Sequence, residues 1–137
     1  MQGFPARAAQ AYAQTHVQSR SPLELVVMLY DGLLRFVSDA RTAITAGDLA
    51  GKRSAVSRAL AIVSELQSTL NLERGGEVAA SLDGLYTYIN GRLLDASMQG
   101  DQAALEECEK LARTLRDAWA EIAARDVGTA AASGARP

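Results

Sequence analysis

The chain has 137 residues, of which 48% are hydrophobic and 22% charged, with a formal net charge of -2. It is long enough to bury one sizeable core and too apolar to stay disordered. The near-even charge argues against a nucleic-acid binder, which needs a basic face. One cysteine, Cys108, permits no intrachain disulfide. No apolar run is long enough for membrane insertion, and residues 1–20 lack the pattern of a signal peptide, so the expected compartment is the cytoplasm.

Residues 1–20 read as an N-terminal arm with a short helix around 7–17 and with Phe4, Tyr12 and Val17 as anchors. Ser21-Pro22 is a helix start: a serine oxygen accepts from an orphan backbone N–H, and proline tolerates the first helical position. Core positions follow at steps of three and four: Leu23, Val26, Val27, Tyr30, Leu33, Leu34, Val37 and Ile44. Gly47 is the expected left-handed cap, and Asp48 opens the next helix.

The second helix carries Val56, Ala59, Leu60, Val63, Leu66 and Leu70, and the spacing predicts its end in the Arg74-Gly75-Gly76 turn. A third presents Val78, Leu82, Leu85, Ile89, Leu93 and Ala96 up to about Gly100, with Tyr86 and Tyr88 as surface or core-edge aromatics. Asp101 caps a fourth whose seam is Leu105, Cys108, Ala112, Leu115, Trp119 and Ile122. Four similar helices on short turns predict an all-α, antiparallel up-down-up-down four-helix bundle over 21–125. The arm 1–20 precedes it, and the Gly/Ala-rich segment 126–137 is expected to be a disordered tail.

The first helix carries more apolar surface than one core stripe needs. Leu25, Met28, Leu29, Gly32 and Phe36 form a second strip, turned roughly 130° from the core face at 100° per residue. Two readings fit it. Either this helix is the most buried one, covered by the arm, or the strip is a groove for an amphipathic helix of another chain, with Gly32 allowing close backbone approach. An arm pinned by Tyr12 and Val17 would cover such a groove until a partner displaced it. The outer faces of helices two to four hold Leu72, Tyr88 and Leu94 as further off-core apolar residues.

Catalysis finds no residues to run on. His16 is the single histidine, so no di-iron site is expected, and Cys108 on a core face without a histidine partner reads as an inert thiol. Gly75-Gly76 lacks the frame of a phosphate loop, and Glu73 and Glu77 beside it suit a helix start and solvent. The expectation is a protein that is not an enzyme and uses no cofactor.

Three blocks together resemble the flagellar export chaperone family FliS: VQSRSPLELVVMLYDGLLRF from Val17, ELQSTLNLERGGEVAASLDGLYTYINGRL from Glu65, and LRDAWAEI from Leu115. Tyr12, five residues before Val17, fits the same pattern. Ser19-Arg20, Leu33-Leu34 and Ala80 depart from the family's usual residues. The resemblance implies a cytoplasmic four-helix bundle that binds the C-terminal segment of flagellin, prevents premature polymerisation and supports export. It also implies an arm that acts as a movable cap, here over Leu25, Met28, Leu29, Gly32 and Phe36. Export-apparatus components would be further partners, with the free chain a monomer or weak homodimer and neither nucleic acid nor membrane bound. The competing classes are a bundle that uses the same strip to assemble with itself, a scaffold for another partner, and an RNA-binding hairpin, which the even charge disfavours.

Overall fold

In a computed structural model, residues 21–133 are described, with side chains to Asp126. They form four helices: α1 (Pro22–Ala46), α2 (Leu49–Ser68), α3 (Leu72–Gln99) and α4 (Gln102–Ser133). Among the described residues there is no strand, and the architecture is an all-α bundle. The expected arm, with Tyr12 and Val17, lies outside the described residues.

Local chemistry sets most helix ends. Ser21 Oγ accepts from the Glu24 N–H at 3.1 Å while the Ser21 N–H donates to Glu24 Oε1 at 2.9 Å, a reciprocal cap with Pro22 at the first position. Gly47 closes α1 in the left-handed region, with φ of 71°. Asp48 Oδ1 then accepts from Gly51 N at 2.9 Å, and Asp101 Oδ1 from Ala104 N at 3.2 Å.

The second helix ends earlier than its apolar spacing suggests. The hydroxyls of Ser68 and Thr69 donate to the Glu65 and Leu66 carbonyls at 2.8 and 2.6 Å, satisfying last-turn acceptors, and α2 stops at Ser68. Asn71 Oδ1 accepts from Arg74 N at 3.0 Å and starts α3 at once. The Arg74-Gly75-Gly76 stretch is therefore not the end of α2 but a break inside α3. Gly76, at φ 56° and ψ -132°, separates the turn Leu72–Gly75 from the long helix that follows. At the other end, α4 runs on to Ser133, into the segment expected to be a tail; its Ala130-Ala131-Ala132 run has the highest helix propensity of any residue type.

Contacts along the helices give the register. Asp31 accepts from Arg116 Nε at 2.8 Å, Arg41 pairs with Glu109, and Gln102 Nε2 donates to the Arg41 carbonyl at 3.1 Å, so α1 and α4 run in opposite directions. Gln67 Nε2 reaches Asp83 Oδ1 and Thr87 Oγ1 between α2 and α3, and Arg92 Nε reaches Glu107 Oε1 at 2.8 Å between α3 and α4. Such exposed pairs contribute little individually. The core holds the bundle: Tyr30, Leu33 and Val37 of α1 meet Val56, Val63 and Leu66 of α2, Tyr86, Ile89 and Leu93 of α3, and Leu105 and Cys108 of α4. The expected core residues Leu34, Ile44, Leu60 and Trp119 are only partly buried, and Val78 and Ile122 are exposed. Leu72, Tyr88 and Leu94 stand off the core and are exposed.

Candidate binding groove

The capped start of α1 sets Leu25 and Leu29 one turn apart on the same face, beside Leu23 and Val26. The early stop of α2 leaves Thr69 and Leu70 opposite them. The break at Gly76 brings the first turns of α3 alongside, with Arg74 and Gly75 on one side of the break and Val78, Ala79 and Leu82 on the other. Trp119 of α4 and Tyr86 of α3 complete the wall. The result is a largely apolar groove of about 740 Å³ at one end of the bundle, in the size range of pockets that take a ligand or a set of side chains. Val78, 70% exposed, presents its side chain there.

Of the five strip residues, the groove gathers two, Leu25 and Leu29, and Leu29 is also part of the core. Gly32 and Phe36 face α2 instead. A Cβ at Gly32 would come within 2.9 Å of Ile62 Cδ1, so the close approach this glycine permits is to a helix of its own bundle. Phe36 packs partly buried against the core, with the Arg58 guanidinium 5.8 Å from its ring centroid. Met28 is half-buried and does not line the groove. The large apolar residues missed as groove residues are Leu23, Val26, Leu70, Val78, Leu82, Tyr86 and Trp119, all but Tyr86 assigned to the core by the apolar spacing.

Behind the groove, the Tyr30 hydroxyl of α1 lies 2.5 Å from the Tyr86 hydroxyl of α3, with Trp119 of α4 beside the pair. Burial raises both phenols; the bond between them raises Tyr30 further and partly offsets the rise of Tyr86. At neutral pH both are uncharged hydroxyls.

Cys108 sits fully in the core, its Sγ 3.9 Å from the Ile89 carbonyl. Burial pushes its thiol up to about 11; the nearby Glu107 carboxylate adds to the shift and Arg92 opposes it. That suppresses the thiolate a nucleophile needs. The shift also has a sign in stability. Below about 9 the thiol is neutral in both states; between 9 and 11 the unfolded chain ionises first, so stability falls by roughly 2–3 kcal/mol across that window. Tyr30 and Tyr86 act in the same direction at higher pH. Urea unfolding from pH 8 upward should show the decline, and Cys108→Ala should flatten its part below 11; an unchanged curve in that variant would place the loss elsewhere. Among the described residues, no group of His, Cys, Asp and Glu could hold a metal ion, and no helix is long and apolar enough to cross a membrane.

The family model of the flagellar protein FliS matches residues 5–126. The chain belongs to the FliS family. It is 38% identical over 124 residues to the flagellar secretion chaperone FliS of Salmonella typhimurium, covering 87% of this chain and 92% of that protein. To the chaperone of the same name from Campylobacter jejuni it is 38% identical over 115 residues, with 84% and 90% covered. To that of Bacillus subtilis it is 38% identical over 109 residues, with 80% of each chain covered. FliS membership makes this bundle a flagellar export chaperone, and the match includes all three sequence blocks that carry the resemblance.

Proposed function

We propose that this chain binds the disordered C-terminal segment of flagellin in the cytoplasm, keeps it from polymerising early and supports its delivery for export. Membership of the FliS family carries this reading, and the apolar groove supports it. A segment that orders on binding gives up roughly 2–5 kcal/mol, which only several apolar anchors together offset. Leu25 and Leu29 of α1, Val78 and Leu82 of α3, and Leu70 in the turn between α2 and α3 supply such anchors. Residues 1–20 lead directly into Pro22 at the groove, so Tyr12 and Val17 are in reach to act as the cap that flagellin displaces or shares. Met28, Gly32 and Phe36 support the groove from the α1–α2 side in this reading. Components of the export apparatus then receive the loaded complex, and the free chain is a monomer or weak homodimer.

Calorimetric titration with the C-terminal segment of the same organism's flagellin, followed by sizing of the mixture, tests this. The expected result is submicromolar one-to-one binding with a negative heat-capacity change from apolar burial. Absence of heat and of any size shift with the folded chain would overturn it. A concentration-dependent dimer that ignores the peptide would favour self-assembly instead.

A further inference from the structure

The phenol pair behind the groove holds one more hydrogen than its shared bond uses. Each phenol carries one O–H, and the two hydroxyls share a single bond. Two donors therefore make one bond, and the second hydrogen has no acceptor among the described residues. Tyr30 is completely enclosed, whereas Tyr86, although only 2% exposed, forms part of the groove wall. With Tyr30 donating to Tyr86, the spare hydrogen sits on Tyr86, the one of the pair that belongs to the groove wall. A buried donor without an acceptor is unfavourable, and a ligand that brings the acceptor relieves it.

We propose that the Tyr86 hydroxyl selects among segments that dock in the groove, donating to a neutral carbonyl oxygen that the docked flagellin segment carries within its apolar face. This rests on the groove being the flagellin site. A single uncharged donor in an apolar wall suits a backbone or amide carbonyl. A carboxylate there would lose its water for one hydrogen bond, and burying it would be strongly disfavoured. A purely apolar segment of the same shape leaves Tyr86 unpaired and binds less well.

The test titrates the flagellin C-terminal segment into the full-length wild type, Tyr86→Phe and Tyr30→Phe, with thermal melts of each. Tyr86→Phe should weaken binding by about three- to tenfold. Tyr30→Phe should lower the melting temperature yet bind as the wild type does, because Tyr86 keeps its donor. With Cζ-labelled tyrosine, the Tyr86 resonance should move on titration in both wild type and Tyr30→Phe. Normal binding by Tyr86→Phe, or equal losses in both variants, would overturn the proposal. Should Tyr86→Phe not fold, an unmoved Tyr86 resonance in the bound wild type overturns it as well. Absence of binding by the wild type removes the flagellin reading itself, and this inference with it.

Discussion

Replacing Val78 by aspartate should weaken binding of the flagellin segment by more than about a hundredfold while leaving the free chain folded. Val78 lines the groove and is 70% exposed, so the free protein has little packing to lose there. Substitutions at such positions usually change stability by no more than about 0.5 kcal/mol. On docking, however, the new carboxylate would be shut into apolar surroundings with no partner to neutralise it. Phe36 would be a poor place for the same charge, because it packs against the core beneath Arg58 and its loss would disturb the α1–α2 seam. Calorimetry and a melting curve on one preparation separate the two effects. Wild-type affinity in Val78→Asp would move the site off this groove, with the exposed Leu94 and Met98 of α3 as the next surface to test.

The second large effect concerns the core. Leu33→Ala should lower the unfolding free energy by about 2–5 kcal/mol, the usual range for emptying a buried leucine site. The whole fold is held by only about 5–15 kcal/mol, so the melting temperature should fall by roughly 10 °C. Leu33 is 1% exposed on α1, the helix that packs most extensively, against both α2 and α4. With α1 held from two sides, neither neighbour can close the gap without leaving the other. Urea titration gives the number directly. A loss below about 1 kcal/mol would mean that the site collapses and that α1 is not the spine of the bundle.

Helix starts were legible because capping is local. Ser21, Asp48 and Asp101 accept from backbone N–H groups three residues ahead, a relation the sequence displays without reference to the rest of the chain. The end of α2 was less visible, since Ser68 and Thr69 stop it through carbonyls that would otherwise continue it, while Leu70 preserves the apolar spacing. The phase of α3 shows the same limit. Ile89, Leu93 and Ala96 of the expected row are buried, but Tyr86 leads into them in place of Leu82 and Leu85, which are only partly buried. Upstream, Ala79 takes the inward position and Val78 turns to the groove.

The strip on α1 was legible as surplus apolar surface but not as a destination. A helical wheel gives the angle between Leu25 and Phe36; it does not say that α2 lies against one end and not the other. Gly32 illustrates this: its lack of a side chain signals a close neighbour, and only the fold identifies that neighbour as Ile62. The groove itself gathers residues from four helices, including Trp119, so no single stretch of sequence contains it.

Trp119 is the single tryptophan in the chain. It borders the groove, beside Tyr30 and Tyr86. The molecule thus carries a native fluorophore at the place where a guest would settle, with two phenols close enough to pass excitation to it. Loading of this bundle can be followed by its own emission, with no dye attached and no residue changed.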